Sequence, residues 1–112
     1  VIVLDSKLIK TTNVTEGLLK NGILVLNSKE KPPEAFTSNK QFKIAMVDAT
    51  GVSLEVLGVP ITNTAMLGAF SASSNWVKIG SICEAIMNRF DKDEAEKNVK
   101  AAMSAYERTV VL

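Results

Sequence analysis

The 112-residue chain is 46% hydrophobic and 22% charged with a formal net charge of +1, a balance that excludes a disordered or fibrous protein and fits one globular domain around one core. Its 13 Lys and Arg and 12 Asp and Glu are dispersed over both halves, so no basic stripe suggests nucleic acid, and the apolar runs fall well short of the roughly 20 residues of a membrane span. With one cysteine and no histidine, the chain is expected to form no internal disulfide, to build no metal or iron-sulfur site alone, and to lack the commonest general base.

Val1 to Leu4, closed by Asp5-Ser6, reads as a strand buried on both faces. The chain opens on Val1 rather than on a methionine, already inside this strand, and shows no secretory signal. The expectation is a single partial domain over residues 1–112, its N-terminal portion missing, in a cytoplasmic protein. Thr15 is placed to cap a short helix from Glu16 to Asn21, with Gly22 supplying a left-handed exit. Ile23-Leu24-Val25-Leu26 follows as a second fully apolar strand. Ser28 to Gln41 contains Pro32-Pro33 and reads as an exposed loop with a weak helical tendency over Glu34 to Phe36. Phe42 to Val47 forms a third strand, after which Thr50 is placed to cap a helix ending near Gly58.

From Ile61 onward three helices are expected. The first runs from about Thr64 to Ala72, capped by Thr62 or Asn63. Its small residues Ala65, Gly68, Ala69 and Ala72 allow close backbone approach, either inside its own core or against another subunit. The second places Ile82, Cys83, Ile86, Met87 and Phe90 on one buried face. Cys83 there is a small hydrophobe more than a reactive thiol, although it lies near a helix start. The third begins with an Asp91/Glu94 capping box, carries the pairs Asp93/Lys97 and Glu96/Lys100, and buries Val99, Ala102, Met103 and Tyr106. The apolar end, Val110-Val111-Leu112, is expected to pack or pair, with the missing segment as one candidate partner.

Strand, helix, strand, connection, strand, helix is the order of parallel βαβ units with right-handed crossovers. The fold class is therefore α/β, three α/β/α layers with a mainly parallel sheet and a helical C-terminal half. In open α/β sheets ligands bind beyond the carboxyl ends of strands, which makes Asp5, Asn27-Ser28 and Asp48-Ala49-Thr50-Gly51 candidate positions. Asp48 and Thr50 are the best of these as cofactor-binding residues, offering a carboxylate and a hydroxyl; the alternative is a turn in which both satisfy local amides. Asn63 and Thr64 form a second candidate pair, at a helix start able to receive an anion or simply to cap itself. No GxGxxG, Walker loop or acid/base carboxylate pair is present, so no catalytic residue is assigned.

Three stretches taken together go further: Asp48-Ala49-Thr50-Gly51-Val52-Ser53-Leu54-Glu55-Val56-Leu57-Gly58, Pro60-Ile61-Thr62-Asn63-Thr64-Ala65-Met66-Leu67-Gly68-Ala69-Phe70, and Ala95-Glu96-Lys97-Asn98-Val99 with Ala105-Tyr106-Glu107. They resemble the gamma subunit of pyruvate:ferredoxin oxidoreductase, as do Val3-Leu4-Asp5, Val14 to Leu18 and Gly22 to Asn27. The resemblance implies a non-catalytic subunit of a complex that oxidatively decarboxylates pyruvate with coenzyme A to acetyl-CoA, CO2 and reduced ferredoxin. Thiamine diphosphate and iron-sulfur clusters would be held by partner subunits, none by this chain alone, and coenzyme A would be a substrate of the complex. The implied partners are the other subunits and, indirectly, ferredoxin. The Asp48–Gly51 and Asn63–Phe70 stretches resemble the pyruvate and branched-chain 2-oxoacid members more than the 2-oxoglutarate ones. Members of this family carry a glycine-rich segment ahead of the strand matching Val1 to Asp5, to which nothing here corresponds. A stand-alone coenzyme A or nucleotide binding module and a purely structural assembly domain are the competing readings.

Overall fold

One four-stranded sheet organises the chain, with β1 (Ile2–Val3), β2 (Ile23–Asn27), β3 (Lys43–Val47) and β4 (Val110–Val111) lying side by side in that order. The first three strands are parallel and β4 runs antiparallel to β3. The computed structural model describes residues 1–38 and 41–112, apart from the side chains of residues 35 and 36. Among the described residues six helices complete it: α1 (Leu8–Thr11), α2 (Glu34–Thr37), α3 (Ala49–Leu57), α4 (Asn63–Ser74), α5 (Ile79–Arg89) and α6 (Lys92–Arg108). The α/β class, the mainly parallel sheet and the helical second half all match the sequence expectation. Among the described residues no helix is long and apolar enough to cross a membrane.

The strand sealed on both faces is β2, whose five residues are all buried. Side chains alternate across a strand, and here Ile23 and Val25 enter the core made with α3, α4 and α6 while Leu24 and Leu26 enter the opposite one. That second core is roofed by Ile9, Val14 and Leu18 from α1 and the turns after it. The expectation for β1 was similar and is corrected. It is an edge strand in this sheet, and only Val3 is buried while Val1, Ile2 and Leu4 stay exposed. The helical layer sits mainly over β2 and β3, and Ile2 lies at its margin, on a hollow it shares with Phe70 and Trp76.

The expected helix over Glu16 to Asn21 does not form. Gly17 takes φ 80° and Asn21 φ 67°, two left-handed positions that no α-helix tolerates. Thr15 donates its hydroxyl to Asn13 instead of capping, and the left-handed exit falls on Asn21 rather than Gly22. The helix appears earlier, as α1, started by the Asp5 carboxylate accepting the Lys7 amide at 3.0 Å. Within the expected loop after β2, α2 forms around the weak helical stretch, and residues 39–40 lie outside the described residues.

The helical half rests on a seam of small residues. Ala101 and Ala105 of α6 join Ala65, Met66 and Ala69 of α4 in the main core, and a Cβ on Gly68 would collide with the backbone carbonyl of Ala102. Of the two expectations for the small stripe, the structure shows the internal one: it meets α6 of the same chain. The buried face of α6 is accordingly Ala95, Ala101, Ala102 and Ala105, with Val99, Met103 and Tyr106 only half-buried, because close approach favours the shortest side chains. On α5, Ile82 and Ile86 are buried as expected, Cys83 is half-buried, and Met87 is exposed.

Neither expected cap of a late helix closes. Thr62 precedes α4 and Asp91 precedes α6 without a side-chain capping bond. The pairs Asp93/Lys97 and Glu96/Lys100 also stay open: among the described residues the one salt bridge is Arg108 to Glu55, at 2.8 Å. The apolar end pairs with β3, where Val110 lies opposite Met46 and Val111 opposite Ala45, so its partner is an internal strand.

Candidate functional site

Parallel pairing brings the carboxyl ends of β1, β2 and β3 to one edge of the sheet, and Asn27 ties them together. Its side-chain oxygen accepts the amides of Ala49 at 2.9 Å and Thr50 at 3.3 Å. Its amide nitrogen donates to the Leu4 carbonyl at 3.0 Å and to the Thr50 hydroxyl at 2.9 Å. A carboxamide with two donors and two acceptor sites is thereby saturated. Burying Asn27 costs little once all four bonds are made, and the result is a fixed spacing between the end of β1, the end of β2 and the start of α3.

The four sequence-predicted binding residues fall in two places. Asp48 is the N-cap of α3, its carboxylate accepting the Gly51 amide at 2.9 Å. This corrects the assignment of the cap to Thr50, whose hydroxyl belongs to the Asn27 bridge. At the other end of α3, Gly58 takes the left-handed cap at φ 76°, where a side chain would be strained. Thr64 is buried in the first turn of α4 and donates to Asn98 of α6 at 2.8 Å. Asn63, its neighbour, is exposed and makes no side-chain hydrogen bond among the described residues. The sheet edge and the α4 start are thus separate constellations; among the described hydrogen bonds the Asn63 side chain makes none and Asp48 uses one of its two carboxylate oxygens.

Two hollows flank these positions. One, of about 430 Å³, lies between α4 and α5 and is walled mainly by Leu67, Ile82, Ile86 and Phe90, with Asn63 and Arg89 at its rim. The other, of about 270 Å³, opens beyond the ends of β1 and β2, lined by Ser6, Ile9, Lys10 and the segment from Ser28 to Pro33. Sequence reasoning named Ser28 and its neighbour Asn27 but missed Lys10, Lys29 and Lys31. Lysines that far apart form no linear stripe, and only the parallel pairing of β1 with β2 brings them together. Asn98 was missed too, since nothing in its local sequence marks it as the partner of Thr64.

Burial pushes the Cys83 thiol above its ordinary range, which favours the unreactive thiol and agrees with its expected packing role. The exposed Arg108 guanidinium, bonded twice to Glu55, holds that carboxyl below its usual value. No arrangement of nucleophile, base and orienting group emerges among the described residues.

A family model described as pyruvate ferredoxin/flavodoxin oxidoreductase matches residues 1–108. The protein named pyruvate/ketoisovalerate oxidoreductases common subunit gamma in Thermococcus kodakarensis is 46% identical, over 99% of this chain and 61% of its own length. The pyruvate synthase subunit PorC of Methanocaldococcus jannaschii is 44% identical, over 95% of this chain and 57% of its own. The solved structure of pyruvate oxidoreductase subunit PORC from Thermotoga maritima superimposes with a TM-score of 0.83 at 32% identity, covering 98% of this chain and 62% of that one. The chain therefore spans about three fifths of the length of the relatives it matches.

Proposed function

Because the chain belongs to the pyruvate ferredoxin/flavodoxin oxidoreductase family, we propose that it serves as the gamma subunit of a pyruvate:ferredoxin oxidoreductase. The observation that carries this reading is the 46% identity over 99% of the chain to a protein named as a gamma subunit. The complex oxidatively decarboxylates pyruvate and passes two electrons to ferredoxin while coenzyme A takes up the acetyl group. In this reading partner subunits hold thiamine diphosphate and the iron-sulfur clusters. This chain contributes a surface and no reacting group, in keeping with the committed hydrogen bonds of Asp48, Thr50 and Thr64.

In this reading its share of the coenzyme A side lies at the sheet edge and the α4 start. Asp48 and Thr50 shape the edge from within the Asn27 bridge, and Thr64 fixes the start of α4 so that Asn63 faces outward. A tagged form of the protein should copurify with thiamine- and cluster-binding subunits from its native source. Recovery of the tagged protein alone, under conditions that keep such complexes intact, would remove the reading.

A second reading is favoured by a specific observation. Several relatives are named as a subunit common to pyruvate and ketoisovalerate oxidoreductases, so this chain serves both a pyruvate and a branched-chain 2-oxoacid enzyme. Copurification with two distinct sets of partner subunits separates it from the first.

A further inference from the structure

The hollow between α4 and α5 is an apolar surface that the fold itself does not fill. α5 leans on α6, where Ile82 and Ile86 share a core with Ala102, backed by Ile79, Phe90 and Val99. No residue of α4 belongs to that core, because the small stripe of α4 faces α6 instead. Leu67 of α4 is therefore left looking across a gap toward α5, exposed and outside every core cluster among the described residues. A single exposed leucine needs no explanation. Here Leu67, the exposed Val77 and the flank of α5 are contiguous around about 430 Å³ of open space, and a contiguous apolar patch marks an interaction surface.

Shape and charge restrict what can cover it. On α5 the lining runs from Ser81 to Phe90. A helical rise of about 1.5 Å per residue makes that a trough of about 13 Å, or about two and a half turns. A seam between two helices is the shape into which a third helix lays a row of side chains. Arg89 is the one ionisable group among the lining residues, and it makes no salt bridge among the described residues. A guanidinium at the rim of an apolar trough is complementary to a carboxylate, which it can bind through two parallel hydrogen bonds.

From this shape and charge we infer that the α4–α5 trough receives an amphipathic helix of another subunit of the complex. That helix carries apolar residues at i, i+3 or i+4, and i+7, with a carboxylate placed against Arg89. A small anion alone would leave the apolar walls wet. An uncharged apolar segment would cover Arg89 without giving it a partner, which is costly. A helix bearing both kinds of group satisfies both demands. The inference rests on the gamma-subunit reading and names the surface through which that subunit is held.

The test is copurification of the tagged protein with its co-expressed thiamine- and cluster-binding subunits, comparing the unaltered chain with four variants. Ala85→Trp fills the trough from an exposed lining position, Arg89→Glu reverses the rim charge, Arg89→Lys keeps it, and Glu84→Gln alters an exposed residue of α5 outside the lining. Circular dichroism confirms that each is folded. Ala85→Trp and Arg89→Glu should bind the partners roughly tenfold more weakly or worse, while Arg89→Lys keeps most of the binding and Glu84→Gln all of it. Folded Ala85→Trp and Arg89→Glu that assemble as well as the unaltered chain overturn the inference and leave the gamma-subunit reading standing. Failure of the unaltered chain to assemble removes that reading and the inference with it. Sedimentation of the isolated protein covers the remaining occupant: a dimer that Ala85→Trp converts to a monomer would assign the trough to a second copy of this chain and overturn the inference.

Discussion

The two faces of the sheet are built differently. On one, α3, α4 and α6 press close enough that Gly68 touches the Ala102 backbone and alanines fill the seam. On the other, a four-residue helix and a run of turns cover Leu24, Leu26 and Ile44 with three side chains, Ile9, Val14 and Leu18. Packing density on the first face leaves no latitude in side-chain size. The second face, together with β1 and the strand-end hollow, keeps exposed apolar and cationic groups available. The difference assigns stability chiefly to the helical face.

Gly68→Leu should break that assignment most severely. The new side chain meets backbone and cannot rotate away, so α4 and α6 must part and the loss should exceed roughly 3 kcal/mol. Denaturant unfolding followed by circular dichroism checks it, and unchanged stability would mean that the helices are not in contact there. Asn27→Ala comes next. It strands the Ala49 amide and the Leu4 carbonyl, and about 2 kcal/mol should be lost by the same assay. Leu19→Ser, in the turns before β2, should change stability by less than about 0.5 kcal/mol, since Leu19 is 79% exposed. A larger loss would show that these turns are more tightly packed than described.

The smallest effect is in the pH dependence. Glu55 has its carboxyl lowered in the folded state by the hydrogen bonds and charge of Arg108. Its stabilisation is therefore present above the unfolded-state value and lost as pH falls through the folded one. Both partners are exposed, so the loss should be slight and weaken further with salt. Glu55→Gln should remove it, seen as a flatter acid limb in a pH series of melting temperatures.

What the sequence revealed follows from the range of the forces involved. β2 was legible because four consecutive apolar residues, Ile23 to Leu26, permit little else, and the end of α3 because Gly58 is a left-handed stop. The small stripe around Gly68 announced a close approach without naming the opposing surface, since Ala102 lies 34 residues away. The helix expected over Glu16 to Asn21 failed because Gly17 and Asn21 both take positive φ, and Thr15 found Asn13 before any helix end. For the site, Asp48, Thr50 and Thr64 were legible in the sequence only as polar residues at element ends. Their actual partners, Asn27 and Asn98, are set by the register of strands and by the α4–α6 seam. The lysine hollow was illegible for the same reason: its charges converge only after β1 and β2 pair.

The most direct measurement of the central claim is pyruvate- and coenzyme A-dependent ferredoxin reduction by the partner subunits, assayed with and without this protein. The account predicts that the partners alone reduce ferredoxin poorly, that adding the protein restores the rate, and that this protein alone has no activity. Full activity of the partners without it, or no recovery when it is added in folded form, would contradict the account.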